Sequence, residues 1–235
     1  MKQLGLPVLL NSKMRLGNFV GEKNGQILSF IDSLFASEDS NVVVVSGAKS
    51  TGKTHLLQGC TFAAMDRGLS GVFIDLKEQF PASLIAELSS ADWVCIDNIH
   101  KASKVEQQEL FDLYNQIKHT KTQLIVSLSA SVGELELLSD LKTRLSLAVN
   151  FSLETLTDEQ KIAILQNKMS DKNTRIDSKI YTYLFKYYSR DLGDLISAIN
   201  QLDEVSLQKK TKITVPLVKQ ILDFDDQQTA LFNES

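Results

Sequence analysis

Eight residues between positions 47 and 54 have the types and spacing of a phosphate-binding loop. The segment GAKSTGKT fits G-x-x-x-x-G-K-[ST] at every fixed position. Gly47 and Gly52 let the backbone turn tightly and point its N–H groups inward, where they can surround a phosphate. Lys53 can place its ammonium on the β- and γ-phosphates, and the Thr54 hydroxyl suits Mg²⁺. The motif predicts that the chain binds a nucleoside di- or triphosphate with Mg²⁺.

The residues on either side of this loop predict the elements that hold it. Four consecutive valines, Val42–Val45, indicate a strand buried on both faces. The residues after Lys53 have apolar side chains at helical spacing, so bound phosphates would lie at a helix N-terminus. A glycine turn without a ligand is the alternative. The order of strand, loop and helix argues against it.

A second buried strand, Asp92–Asn98 (DWVCIDN), ends in the carboxylate Asp97. An acid at the end of a neighbouring strand is where a P-loop NTPase holds Mg²⁺; the alternative is an aspartate that begins the next turn. Hydrolytic relatives often carry another acid at the following position to polarise water. Asn98 cannot accept that proton, so we expect weak intrinsic hydrolysis.

Strands and helices alternate up to residue 155, which is typical of a parallel sheet with helices on both faces. The sequence predicts an α/β core with five strands, and a helix is expected near Phe80–Leu88. From Thr157 onward only helices are expected, beginning with a capping box from Thr157 to Gln160. The predicted organisation is a tail (1–14), a nucleotide-binding domain (15–155), a helical lid (156–224) and a disordered tail (225–235).

Composition excludes several function classes. The chain has 25 Lys and Arg against 29 Asp and Glu, a formal net charge of −4, which argues against a dedicated surface for sequence-specific DNA binding. No apolar run is long enough to span a bilayer, and Pro7 interrupts the apolar N-terminus that would otherwise resemble a signal peptide. Cys60 and Cys95 are expected to be packing residues in a reducing compartment. These features predict a cytoplasmic protein.

The N-terminal segment Lys2–Leu10 (KQLGLPVLL) has no helical or alternating periodicity. Its apolar side chains belong to no predicted element of the core. It is either a docking peptide for a partner or a tail that packs on its own domain, and composition alone does not distinguish the two.

Four stretches carry a resemblance to the AAA+ ATPases and, within them, to the DnaA family of bacterial replication initiators. They are Phe19-Val20-Gly21, Gly47–Leu57 (GAKSTGKTHLL), Val94–Ile99 (VCIDNI) and Asp140–Leu145 (DLKTRL). With the preceding hexapeptide QLGLPV, the chain resembles the Hda family of regulatory inactivators of DnaA. In that family a Q-L-x-L-P-L peptide docks on the replicative sliding clamp; Val8 here replaces the last leucine.

The resemblance implies roles for individual residues. Arg144 matches an arginine finger, which acts in trans on a nucleotide held by a neighbouring molecule, and Asp97 matches the strand-end acid. Clamp contacts are implied for Gln3, Leu4, Leu6, Pro7 and Val8. Contacts with a bound ADP or ATP are implied for Phe19, Val20, Gly47, Ser50, Thr51, Gly52, Lys53, Thr54 and His55, with Mg²⁺ on Thr54 and Asp97. The implied partners are the sliding clamp and DnaA, with a homo-oligomer also possible.

Two positions depart from the initiator's pattern. Ser129 follows the fourth strand where the family has Asp or Asn, and Gly193 stands where the initiator's lid has a nucleotide-sensing arginine. Arg190, three residues earlier, is a candidate replacement. Together with Asn98, these departures predict a module that binds nucleotide better than it hydrolyses it.

Two other functions are compatible with the motif. An AAA+ adaptor for another replication client would use the same fold, and Arg144 would then be unimportant to any hydrolysis. A small-molecule P-loop kinase would require an acceptor site and an arginine-rich closing segment, and the predicted lid has few arginines. From position alone, Arg144 could also be a solvated surface charge.

Overall fold

The computed structural model describes residues 10–12, 14–19, 25–81 and 83–222. The chain divides into two compact units, one ending at Thr155 and the other beginning at Leu156. The first unit contains the phosphate loop and the second is helical. Each unit has its own apolar core.

The first unit is built around a five-stranded parallel sheet, as the sequence predicts. In chain order its elements are α1 (Gly25–Leu34), β1 (Asn41–Ser46), α2 (Lys53–Asp66), β2 (Gly71–Asp75), β3 (Trp93–Asp97), α3 (Lys104–Ile117), β4 (Gln123–Leu128), α4 (Ser139–Ser146) and β5 (Val149–Ser152). The strand order is β2-β3-β4-β1-β5. Because all pairs are parallel, the carboxyl ends of the strands meet at one edge.

Successive side chains of β1 point to opposite faces of the sheet, and the core of the first unit has one layer on each face. Val44 packs with the cluster on one face of the sheet, whereas Val43 and Val45 pack with α1 and α2 on the other. All three valines are fully buried, which confirms the prediction of a strand covered on both faces. This buried strand leads directly into the phosphate loop.

The segment around residues 80–88 is not the predicted α-helix. The chain instead forms a short 3₁₀ helix, Ile85–Ser90. Ser83 has a positive φ of 67°, and its N–H donates to Glu109 Oε1 at 3.0 Å. A non-glycine residue in this left-handed conformation interrupts a right-handed helix, which explains the difference.

The second unit consists of α5 (Asp158–Ser170), α6 (Ser178–Tyr187), α7 (Leu192–Lys209) and α8 (Val215–Ile221). The predicted capping box is present: Thr157 accepts from the Gln160 N–H, and the Gln160 side chain accepts from the Thr157 N–H. Helix α7 is the longest of the four, with eighteen residues. It ends at Lys210, whose φ is 50°.

Candidate functional site: a phosphate loop and an edge arginine

The phosphate loop lies at the carboxyl edge of the sheet, between β1 and α2. Gly52 has a φ of 97°, and a Cβ there would lie 2.9 Å from the Phe19 ring. A Cβ on Gly47 would lie 2.7 Å from the Leu153 carbonyl oxygen. Both fixed glycines of the motif therefore stand where a side chain cannot fit. The loop has the close backbone turn that phosphate binding requires.

Lys53 lies inside this loop. Its Nζ donates to the carbonyl oxygens of Gly47 and Ala48, each at 2.7 Å. Burial lowers the pKa of Lys53, while the Asp97 carboxylate opposes that shift and Lys77 adds to it. A cation that is short of compensating charge favours an anionic ligand, because a phosphate would stabilise its charged form.

Thr54 and Asp97 are brought together from two elements. The Thr54 hydroxyl, in the first turn of α2, donates to Asp97 Oδ2 at 2.5 Å, and Asp97 at the end of β3 is fully buried. Both groups are hard oxygen donors of the kind that Mg²⁺ prefers. Among the described residues no cluster of three His, Cys, Asp or Glu could hold a metal. These two oxygens fit an ion whose other ligands are phosphate and water.

The side-chain amide of Asn98 cannot act as a general base, and it is hydrogen-bonded to another residue. Its backbone is left-handed (φ 61°), and its side-chain amide donates to Asp75 Oδ1 at 2.7 Å. Its N–H donates to Asp97 Oδ1 at 3.0 Å and to Ser127 Oγ at 2.9 Å. The residue after the strand-end acid thus fixes Asp97 and the neighbouring strand end.

Ser127 is a site residue that our sequence analysis missed. It lies within β4, is fully buried, and its hydroxyl donates to Asp97 Oδ1. Ser129, the position singled out from the sequence, follows the end of β4 and is half-buried. The sequence signal that could have identified Ser127 is that it is the polar residue in the otherwise apolar strand segment LIVSL.

His100 lies in a 3₁₀ turn just after Asn98. Its Nδ1 is buried and has no hydrogen-bond partner, the only buried side-chain nitrogen or oxygen of this kind in the described part of the chain. Burial lowers the pKa of His100, and the charges of Lys101, Lys53 and Lys77 lower it further. The imidazole therefore stays neutral beside the phosphate loop at pH 7.

Phe19 and His55 flank the loop on the side of α2. Phe19 is buried, and its ring meets the His55 ring edge-on with centroids 5.6 Å apart. His55 Nε2 lies 2.9 Å from the Arg15 carbonyl oxygen. The structure brings both residues to the loop; Val20 lies outside the described residues.

Arg144 lies in the last turn of α4, the helix that precedes β5 in the chain, and β5 is the last strand in the order of the sheet. Leu141 and Leu145 are buried in the core and anchor this helix. The Arg144 guanidinium carbon lies 5.9 Å from the ring centroid of Tyr114, which projects from α3. Within the described ranges, no carboxylate forms an ion pair with it.

Apolar side chains next to Arg144 are exposed. Leu147 follows α4 and is 72 % exposed, more than any other large apolar residue that the structure describes. Val149, on β5, is 39 % exposed, and β5 pairs with β1 on one side. In the part of the chain that the structure describes, an arginine without a carboxylate ion pair is thus followed closely in sequence by two exposed apolar residues.

Arg190 belongs to the second unit. Its guanidinium lies 3.9 Å from Asp158 Oδ2, and its backbone carbonyl accepts from Lys161. Gly193 lies in the first turn of α7. The segment proposed to bind the clamp, Gln3–Val8, lies outside the described residues.

Comparison with known proteins identifies the family of this chain. Residues 158–222 match the family model described as "Hda, lid domain". The chain belongs to the Hda/DnaA-related AAA+ proteins. A relative from Haemophilus influenzae, named only as an uncharacterized protein, is 31% identical over 227 residues, which are 94% of this chain and 98% of that one.

Solved AAA+ structures have the same fold. Domain III of the Thermotoga maritima replication initiation protein DnaA superposes with a TM-score of 0.76 at 18% identity, covering 92% of this chain and 99% of that one. AMPPCP-bound DnaA from Aquifex aeolicus gives 0.69 at 21%, covering 86% and 71%. A mutant of Thermotoga maritima RuvB gives 0.69 at 17%, covering 91% and 72%. The predicted AAA+ core with a helical lid is confirmed.

A membrane-spanning role finds no support in the helices. None of those that the structure describes is long and apolar enough to cross a bilayer.

Proposed function

We propose that this Hda/DnaA-related protein is a regulator that stimulates hydrolysis of ATP bound to the initiator DnaA. The surroundings of Arg144 carry the proposal: its contact is the aromatic ring of Tyr114, and the exposed Leu147 and Val149 follow it closely in the chain. A guanidinium placed this way is available to a nucleotide held by another molecule. The product would be DnaA carrying ADP.

The chain's own nucleotide has a structural role in this proposal. The loop Gly47–Thr54, with Phe19 and His55 beside it, would hold ADP or ATP, and Thr54 and Asp97 would hold Mg²⁺. The metal would neutralise charge on the phosphates. Asn98 is bonded to Asp75 and offers no carboxylate to a water molecule. The site is therefore suited to binding with little turnover.

Arg144 would act on charge that develops at the γ-phosphoryl of the partner's ATP. Its planar guanidinium offers two parallel donors to the phosphoryl oxygens. An arginine finger supplied in trans accelerates hydrolysis by on the order of 10³–10⁵. That factor is large enough for a switch between active and inactive initiator.

Leu147 and Val149 would form the contact surface around Arg144. Their exposure costs free energy in the isolated chain, and a partner that covers them recovers it. A lone rim charge contributes little affinity, so the apolar pair would supply association while Arg144 supplies rate.

The N-terminal peptide would tether the protein to the sliding clamp. Leu4, Leu6 and Val8 would enter apolar pockets, Gln3 would provide a polar anchor, and Pro7 would limit the entropy lost on docking. The tether would concentrate the regulator where DNA is being copied.

The proposal is tested by measuring hydrolysis of DnaA-bound ATP with this protein alone, with DNA-loaded clamp alone, and with both. We expect stimulation only when both are present. Unchanged hydrolysis with both present would contradict the proposal and favour an adaptor for another replication client.

The tether has a separate test. Replacing Gln3 and Leu4 with alanine should abolish clamp binding in a pull-down or surface plasmon resonance assay and leave the melting temperature nearly unchanged, since a tail contributes little to the core. A large drop in melting temperature would show that the segment packs on its own domain.

A further inference from the structure

Gln107 is a buried amide near the start of α3. The residue is 8 % exposed, and the capping box formed by Ser103 and Glu106 fixes the helix turn that carries it. Its Nε2 donates to the Ala102 carbonyl oxygen at 3.0 Å, and its Oε1 accepts from the Leu138 N–H at 2.8 Å. Both ends of the amide are therefore bonded to main-chain atoms, in two segments that lie far apart in the chain. A buried polar group held at both ends has a defined orientation.

The first of these segments begins at the carboxylate that ends β3. Asn98, directly after Asp97, donates its N–H to Asp97 Oδ1 at 3.0 Å. A 3₁₀ turn, Ile99–Lys101, then leads to Ala102, whose carbonyl oxygen accepts from Gln107. One end of the Gln107 amide thus holds the turn that follows the edge of the phosphate-loop site.

The second segment is the N-terminus of α4, the helix that carries Arg144. Leu138 is the residue directly before the first turn of this helix. In a capping box, the side chain of the third helical residue accepts from the N–H at this position. In α4 the third residue is Leu141, whose apolar side chain cannot accept a hydrogen bond. Gln107 supplies from α3 the acceptor that α4 lacks in its own sequence.

Helix α3 also contacts the other end of α4. Tyr114 lies two helical turns after Gln107, on the same side of α3, and its ring centroid is 5.9 Å from the Arg144 guanidinium carbon. The two positions on α3 are about 10.5 Å apart along its axis, and Leu138 and Arg144 are about 9 Å apart along α4. The similar spacing lets one side of α3 hold both ends of the shorter helix.

We infer that Gln107 positions α4 and thereby the Arg144 guanidinium. The inference rests on the proposed function, in which Arg144 acts on ATP held by DnaA. Gln107 would not touch that nucleotide; it would act by keeping the start of α4 in place. Rate depends steeply on such placement, since a displacement of about 1 Å can cost on the order of 10² in rate. Association should not change, because Leu147 and Val149 are left as they are.

The first test is hydrogen exchange of the full-length protein, measured by mass spectrometry. Gln107→Leu nearly keeps the size of the side chain and removes both hydrogen bonds. The backbone amides of α4 should exchange faster in this variant than in the parent, and those of α2 and of the second unit should be unchanged. A uniform rise over α2, α3 and α4, or no change in α4, would overturn the inference, because Gln107 would then not be a specific support of α4.

The second test is single-turnover hydrolysis of DnaA-bound ATP with DNA-loaded clamp, over a concentration series of this protein. Gln107→Leu should lower the maximal rate on the order of tenfold and leave the half-maximal concentration unchanged. Gln107→Glu keeps an acceptor for the Leu138 N–H, so its rate should fall between those of Gln107→Leu and the parent. Adding Gln107→Leu to Arg144→Ala should cause no further loss, because Gln107 acts through Arg144.

Gln108 provides the matched control on the same helix. Its amide is exposed and donates to Asp112 Oδ1 at 3.1 Å, so Gln108→Leu removes an amide from a contact within α3. This variant should stimulate hydrolysis like the parent. Equal rates for Gln107→Leu and the parent, or a further loss in the Arg144→Ala background, would overturn this inference alone. Absence of stimulation by the parent would overturn the proposed function and, with it, the effect of Gln107 on rate.

Discussion

The phosphate loop and the end of α4 are held in opposite ways. In the loop, Lys53 donates to two backbone carbonyls and Thr54 donates to a buried carboxylate. At the end of α4, Arg144 has an aromatic ring as its contact, and Leu147 next to it is 72 % exposed. The polar groups of the loop are hydrogen-bonded within the chain. The end of α4 instead has a guanidinium without a carboxylate partner in the described ranges, and an exposed leucine follows it.

This difference indicates two kinds of function in one unit. A loop enclosed by its own chain is suited to retaining a small ligand, because its groups are already positioned. An exposed leucine forgoes about 1.5–3 kcal/mol of burial, which a partner can supply. The predictions below test whether nucleotide retention and partner contact are separable in this way.

The largest effect is expected at Arg144. Arg144→Ala should lower the stimulated rate of DnaA-bound ATP hydrolysis by on the order of 10³, because the charge on the γ-phosphoryl loses its stabilising cation. Arg144→Lys should recover little, since an ammonium lacks the two-pronged geometry. Single-turnover hydrolysis measures the rate, and both variants should still bind ADP. Full stimulation by Arg144→Ala would rule out the finger.

The next largest effect is expected on nucleotide binding, at Lys53. Lys53→Ala should lower affinity for ADP by about 10², the size expected for a hydrogen bond from a charged donor in a partly buried site. Titration with a fluorescent ADP analogue measures this affinity. Lys49→Ala, which removes the same charge from an exposed position of the same loop, is the control and should bind ADP like the parent. Equal losses would show that net charge alone explains the effect.

A smaller effect is expected at the apolar surface. Leu147→Asp should raise the concentration needed for half-maximal stimulation about tenfold, with the maximal rate unchanged, because a buried leucine contributes about 1.5–3 kcal/mol to association. Leu207→Asp is the matched control, since Leu207 is 67 % exposed in the other unit. If both variants behave alike, the surface beside Arg144 has no special role.

The smallest effect is expected at Tyr114. Tyr114→Ala should lower the maximal stimulated rate about two- to fivefold, because a cation–π contact at an exposed site is worth about 0.5–1 kcal/mol in positioning the guanidinium. Tyr114→Phe keeps the ring and should behave like the parent. A loss in the Phe variant equal to that in the Ala variant would show that the hydroxyl, not the ring, matters.

The sequence predicts much of the fold because its strongest signals are local. The valine strand, the phosphate loop and the Thr157 capping box each depend on residues a few positions apart. The prediction fails where a non-glycine residue takes a left-handed conformation. Ser83 interrupts the expected helix, and Lys210 ends α7 without the glycine that usually marks such an end.

The site is predictable in part for the same reason. The positions of Lys53, Thr54 and Asp97 follow from the motif and the strand pattern. Ser127 required the pairing of neighbouring strands, because its hydroxyl reaches Asp97 from β4. The contact between Tyr114 and Arg144 joins two helices thirty positions apart, and no local pattern predicts it.

The central claim is that this chain supplies the arginine and DnaA supplies the ATP. The most direct measurement loads this protein with unlabelled ADP and DnaA with γ-labelled ATP, adds DNA-loaded clamp, and follows labelled phosphate in a single turnover. The account predicts fast release from DnaA while the ADP stays on this chain. No acceleration, or acceleration only when this chain carries ATP that it hydrolyses itself, would contradict it.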